Sequence, residues 1–191
     1  MASVMSATRT NRNNSRNQIL EVATQLFLEK GFERCTMRNL ASAAGMRLGG
    51  IGYHFKTKQG ILFEIMCNCN AAVLAQLKES ISKVHTPKEK LRKFIATELE
   101  ASVIGPGSLI LKEWDSLTPE QRQMLNEEMR PFEDLWNEVL NECRKKNIIK
   151  ADPGITRKML HGAFAWAQTW YRPDGRYSLE RITDEVITLI T

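Results

Sequence analysis

At 191 residues and 42% hydrophobic content the chain can bury a substantial core, which excludes a protein disordered throughout. It holds no run of about 18 apolar residues, and its first residues set Arg9, Arg12 and Arg16 among Asn, Ser and Thr, so the reading is a soluble, cytoplasmic protein with neither membrane span nor secretory leader. The formal charge of +5 is unevenly placed: residues 1–60 hold nine Lys and Arg against three Glu, while the rest hold 18 basic against 19 acidic groups.

A surplus confined to one third of the chain is what a polyanion-binding segment requires, because each neutralised phosphate releases condensed counterions. The cysteines at 35, 67, 69 and 143 form no CxxC pair and have no His at zinc spacing, so reduced, mostly buried thiols and no metal site are expected.

Residues 1–13 are polar and predict a mobile basic tail able to reach DNA. From Ile19 the apolar positions Val22, Ala23, Leu26 and Phe27 follow helical spacing, and Gly31 ends that helix. Thr36 is a good N-cap for a short helix carrying Leu40, Ala41 and Ala44, closed by Gly45. Only a tight turn fits before another short helix over 48–55, which gives a helix-turn-helix layout. Thr57 then caps a long helix through Leu62, Ile65, Met66, Cys69 and Val73.

Thr86, Pro87 and Glu89 form a capping box that opens a helix through Leu91, Phe94, Ile95 and Leu99, and the Gly105, Pro106, Gly107 segment breaks it. A short helix bears Leu109, Ile110 and Trp114. Thr118 and Pro119 start the next, whose seam Leu125, Met129, Phe132, Trp136, Val139, Cys143 continues across Pro131; proline lacks the backbone donor, so a kinked pair of helices is expected. Asp152, Pro153 and Gly154 precede a helix through Leu160, Phe164 and Trp170, residues 172–175 read as a type I turn, and Ser178 caps a last helix. No strand-like alternation competes, so the fold class is all-α, with about nine helices.

The stretch TMRNLASAAGMRLGGIGYHFKTKQGIL, residues 36–62, resembles the DNA-binding signature of the TetR family of transcriptional regulators: Thr36, Leu40, Ala41, Ala44, Gly45, Gly49, Ile51, Tyr53, His54, Phe55, Thr57 and Lys58 match it. The pattern departs at Arg47, where a small capping residue is usual, and at Gly52, where an aromatic is usual. The resemblance implies a helix-turn-helix domain over 14–57 and a ligand-binding and dimerisation domain over 58–191. DNA contacts are then expected from Thr36, Arg47, Leu48, Gly49, Gly50, Tyr53, His54, Thr57 and Lys58. Arg47 stands where a side chain can pair with guanine in the major groove. Gly49, Gly50 and Gly52 together forgo about 2–3 kcal/mol of helix propensity relative to alanine.

The segment WYRPDGRYSL, residues 170–179, and the Glu113, Trp114, Leu117 stretch are similar to a subgroup of that family that responds to acyl-CoA thioesters in fatty-acid and sterol breakdown. The resemblance implies an effector pocket lined by residues such as Met66, Phe94, Leu109, Trp114, Met129 and Trp136, with Arg172 and Arg176 toward ligand phosphates. It also implies a homodimer interface containing Gly162, Ala163, Trp166 and Trp170, so that two reading helices meet a pseudo-palindromic operator in double-stranded DNA. The helix beginning at Lys58 is the expected lever between pocket and DNA. The alternative is a factor of the same fold governed by a protein partner, or by no small ligand. Only three His occur (54, 85 and 161) and no nucleophile motif, so no catalytic residue, metal or cofactor is expected and the chain is not read as an enzyme.

Overall fold

The computed structural model describes the backbone of residues 2–191 and the side chains from residue 14 onward; the expected tail over 1–13 therefore lies outside the residues whose side chains are described. The described residues form nine α-helices and one 3-10 turn, with no strand, as the all-α expectation requires. In chain order they are α1 (Ala2–Lys30), α2 (Met37–Ala43), α3 (Leu48–His54), α4 (Lys58–Ser82), α5 (Pro87–Val103), α6 (Gly107–Lys112), the 3-10 turn Trp114–Ser116, α7 (Pro119–Lys145), α8 (Pro153–Trp170) and α9 (Leu179–Ile190).

The caps read from the sequence set the helix boundaries. The hydroxyl oxygens of Thr36, Thr57, Thr86, Thr118 and Ser178, and the Asp152 carboxylate, each accept a backbone N–H from the first turn of the helix that follows. Between α2 and α3 the chain reverses at Gly45, whose φ of +65° is in the left-handed region, and the Met46 N–H donates back to the Ala41 carbonyl at 2.8 Å. Gly107 is required for a different reason: a Cβ there would stand 2.7 Å from the Ala101 carbonyl oxygen, so only glycine lets α6 start this close to α5.

Pro131 corrects one expectation. α7 runs unbroken from Pro119 to Lys145 instead of as two helices. Pro131 and Glu127, whose carbonyl loses its helical partner, are both exposed, so water can satisfy the orphaned oxygen. On the buried side, the Asn70 side-chain amide donates to the neighbouring Glu128 carbonyl at 2.9 Å and ties α4 to α7 at this point.

Two apolar cores result. The first holds Ile19, Ala23, Phe27, Phe32, Leu40, Ile51 and Phe55 of the first three helices and their connections, and continues without a break into Ile61, Leu62, Ile65 and Met66 of α4, Leu109 of α6, Leu117, and Leu125 of α7. The second holds Leu77, Phe94, Trp136, Leu140, Phe164 and Ile187 of the distal helices. By length and composition α4 is long and apolar enough to cross a membrane, but its Ile61, Leu62, Ile65, Met66, Cys69 and Leu77 are buried in the protein, as in a core helix. Among the described residues all four cysteines are free thiols, three of them buried and Cys67 half-buried.

Candidate DNA interface and effector cavity

α2 and α3 pack through Leu40, Ala41, Ala44 and Ile51, which leaves the first turn of α3 outward: Arg47, Leu48, Gly49 and Gly50 are all exposed. Arg47 occupies the N-cap of α3 and its side chain makes no capping hydrogen bond, consistent with its standing where a capping residue is usual. At the far end Tyr53 is 62% exposed and its ring meets the half-buried His54 edge to face at 5.3 Å. A Cβ added at Gly49 or Gly52 would meet nothing within 4 Å, and one at Gly50 only Met46 Cβ at 3.8 Å. Among the described residues nothing requires these three glycines.

That observation carries a prediction. Gly49→Ala should stabilise the fold by about 0.5–1 kcal/mol, because alanine favours the helix, and should weaken binding to a selected operator about tenfold if the bare backbone approaches base edges. Thermal unfolding and fluorescence anisotropy on the same preparation check the opposite signs; a stability gain with unchanged affinity would show that the groove does not approach Gly49.

The basic surplus is partly spent inside the molecule. Arg16 forms a bidentate pair with Glu64 of α4, with Nη1 donating to Oε1 at 2.9 Å, and lies over the Phe55 ring at 4.4 Å. Lys58, expected at a phosphate, instead donates from Nζ to the Phe32 carbonyl at 2.8 Å and sits 3.9 Å from the centre of the Phe32 ring. A desolvated carbonyl and an aromatic face hold an ammonium well, so Lys58 pins the α1–α2 connection to α4. Thr36 is similarly committed: its hydroxyl donates to Asn39 Oδ1 and accepts the Asn39 N–H. Thr57 Oγ1 accepts the Gly60 N–H at 3.0 Å. Both threonines set the orientation of their helices. Arg34, Arg38 and Lys56 are exposed on the same unit and were not singled out by the motif; their position beside α2 and α3, visible in the local charge count, is the signal.

A partly open cavity lies among α4, α5, α6, α7 and α8. It measures about 90 Å³, and its walls include Val73, Ala101, Ile110, Leu111, Met129 and Phe132. A second, outer cavity of about 280 Å³ shares Cys69, Val73, Ala101 and Gly107 with it and reaches Gln76, Thr97 and Glu100. Of the residues expected to line a pocket, Met129 does so. Met66 and Leu109 lie in the first core, with Trp114 against it. Phe94 and Trp136 stack at 4.3 Å in the second. Arg172 donates to the Tyr171 and Thr169 carbonyls at the end of α8 and Arg176 lies 5.3 Å from the Tyr177 ring, so both hold their own loop and neither borders the cavity. Helical spacing marks burial; it does not tell which buried residue stands beside a void.

The polar residues of the wall were missed. Glu98 is 9% exposed; its Oε2 accepts the Trp136 indole N–H, and its Oε1 lies 3.2 Å from His161 Nε2 without forming a hydrogen bond. Burial pushes the Glu98 carboxyl up to about 8, outweighing the opposing effects of Trp136 and Arg157. Burial, then the charge of Arg157, pushes His161 down. The signal was in the sequence: Glu98 occupies the centre of the α5 stripe Leu91, Phe94, Ile95, Leu99, where an apolar residue belongs.

Like α4 and α7, the short helix α6 touches both regions. α6 gives Gly107, Ile110 and Leu111 to the cavity and Leu109 to the first core. At its C-cap the Glu113 carboxylate accepts the Phe32 N–H at 3.3 Å and the Ser116 hydroxyl at 3.0 Å. The backbone of Phe32 is thus held at its N–H by Glu113 at the end of α6 and at its carbonyl by Lys58 of α4.

On the opposite flank, α8 turns a row of apolar residues outward. Ile155, Met159, Trp166 and Trp170 are 62%, 70%, 68% and 45% exposed, with exposed Gly162 and Ala163 between them and Leu189 of α9 alongside at 83%.

Residues 19–65 match the family model of bacterial regulatory proteins of the tetR family, and residues 84–191 match a model described as tetracyclin repressor-like, C-terminal domain. Among solved structures, the chain is similar to the superantigen PfiT at 34% identity, covering 92% of this chain and 95% of that one with a TM-score of 0.81. It is similar to AibR, solved with isovaleryl coenzyme A and operator DNA, at 26% identity over 92% of this chain and 97% of that one, TM-score 0.82. It is also similar to the transcriptional regulator FadR from Bacillus subtilis, solved with stearoyl-CoA, at 25% identity over 90% and 95% of the two chains, TM-score 0.74. With an outward reading helix at one end and a helical body that together account for both matched models, the chain belongs to the TetR family of bacterial regulatory proteins, which are DNA-binding transcriptional regulators.

Proposed function

We propose that the protein is a cytoplasmic homodimeric repressor that leaves a pseudo-palindromic operator when an acyl-CoA thioester enters the cavity beneath α6. The observation that carries this reading is the position of α6, which borders the cavity through Ile110 and Leu111 and joins the reading-head core through Leu109 and Glu113. A ligand that displaces α6 moves the Phe32 connection and with it the spacing of two reading helices about 34 Å apart on DNA. Effector and operator then oppose each other by the same factor, in whichever order they bind. The acyl-CoA class is supported by the ligands of AibR and FadR, and the dimer by the exposed apolar row on α8.

Arg47, Leu48, Gly49, Gly50, Tyr53 and His54 are assigned to the duplex, joined by Arg38 and Lys56 at phosphates. The test begins with selection of bound fragments from genomic DNA, followed by anisotropy against salt and a series of thioesters from acetyl-CoA to stearoyl-CoA. Affinity should fall steeply with salt, and one or more thioesters should weaken operator binding about 5- to 150-fold. Absence of salt-sensitive duplex binding overturns the regulator's mechanism; release by no thioester overturns the effector class.

A further inference from the structure

Besides the Cys69 thiol, the polar side chains of the cavity wall are Asn70, Glu98, Ser102 and His161, and the charged groups next to the Glu98–His161 pair are matched. On α8, Arg157 is bound to Glu133 of α7 at 2.9 Å. Toward the cavity α4 presents Cys69, a thiol that burial pushes up to about 11, and Asn70, already bonded to Glu128. α6 contributes no charged residue to the lining. An anionic group entering here would meet no unpaired cation. An uncharged hydrogen-bond acceptor would meet a buried carboxyl whose Oε2 is occupied by Trp136 and whose Oε1 has only the unbonded His161 Nε2 beside it.

The shape narrows the ligand further. A 150 Å³ apolar cavity holds a six-carbon ring, so the inner cavity of about 90 Å³ holds roughly four carbons. The outer cavity continues from it past Gly107; its wall stays mostly apolar and adds the side chains of Gln76, Thr97 and Glu100. A molecule that is short and apolar at one end, carries a carbonyl next to that end and continues into a longer remainder with some polar groups fits this sequence of environments.

Building on the acyl-CoA reading above, we propose that Glu98 is the specificity-determining residue for a short acyl thioester, donating the O–H of its neutral carboxyl to the thioester carbonyl oxygen while the acyl chain fills the inner cavity and the thiol side leaves through the outer one. The Trp136 indole N–H positions the carboxyl from behind. The acid form available at neutral pH agrees with this role, since burial is the dominant influence on Glu98. A long acyl chain overfills the inner cavity, and a free carboxylate brings a charge that nothing in the wall neutralises.

Titration calorimetry on the intact protein tests the proposal with butyryl-CoA, with S-butyl-CoA, a thioether that lacks the carbonyl, and with palmitoyl-CoA. Butyryl-CoA should bind about tenfold more tightly than S-butyl-CoA at neutral pH. Its affinity should be flat below about pH 7.5 and about tenfold weaker near pH 9, because only the protonated carboxyl is competent and its population falls tenfold per unit above its midpoint. S-butyl-CoA should show no such slope, and Glu98→Gln, which keeps a neutral donor, should bind butyryl-CoA within about threefold of the parent and without the slope.

Equal affinity for the thioester and the thioether, a flat pH profile in the unmodified protein, or tighter binding of palmitoyl-CoA would overturn the role given to Glu98 while leaving the acyl-CoA reading in place. If no thioester binds at any pH, both fall together. The comparison of ligands on the unmodified protein decides the matter even if Glu98→Gln does not fold.

Discussion

Trp166→Glu is expected to turn the dimer into a folded monomer and to weaken operator binding by at least about a hundredfold. Trp166 is 68% exposed in the single chain, so placing a carboxylate there disturbs none of the internal cores. In a two-fold dimer the same change occurs twice across one interface. Aromatic anchors of this kind cost about 2–4 kcal/mol each when removed, so the pair is worth several orders of magnitude in dimer affinity, and a buried carboxylate adds a desolvation cost. A monomer then brings one reading helix to a site that needs two. Analytical ultracentrifugation and circular dichroism should report half the mass with unchanged helicity, and anisotropy the lost affinity. A variant that stays dimeric and binds DNA normally places the interface elsewhere than on α8 and α9.

The same face shows why some features were legible in the sequence and others were not. Capping residues act within four positions of the chain, so Thr36, Thr86, Thr118 and Ser178 marked helix starts that the structure retains. The reading head was equally local: the turn at Gly45, closed by the Met46 N–H on the Ala41 carbonyl, leaves α3 little freedom in where it points. Pro131 misled because the cost of a proline in a helix depends on whether water reaches the freed carbonyl, which only the exposed side of α7 decides. The cavity was the least legible feature. Phe94, Met129 and Trp136 follow the same helical spacing, yet one borders the void and two stack behind it, because voids arise from how five helices fail to close and not from any one stripe. Lys58 shows the reverse limit: a motif position can be filled by a residue whose charge is spent on the fold, here on the Phe32 carbonyl.

Glu113→Ala is expected to leave both ligands bound and to disconnect them. The Glu113 carboxylate reaches the Phe32 N–H from the C-cap of α6, and Lys58 reaches the carbonyl of the same residue from α4. Without the carboxylate, α6 still borders the cavity through Ile110 and Leu111, so effector affinity should stay within about threefold. The helix-turn-helix core does not depend on Glu113, so operator affinity without effector should change about as little. What should disappear is the coupling: release by a saturating thioester, about 5- to 150-fold in the parent, should shrink to about threefold or less. Glu113→Gln retains an oxygen that can accept the Phe32 N–H and should keep most of the response. Lys58→Met removes the opposite grip, and because both side chains hold the backbone of one residue, Phe32, the double variant should lose less than the two single losses combined. If Glu113→Ala releases DNA as readily as the parent, the signal passes along α4 alone and the bond to Phe32 serves only to stabilise the fold.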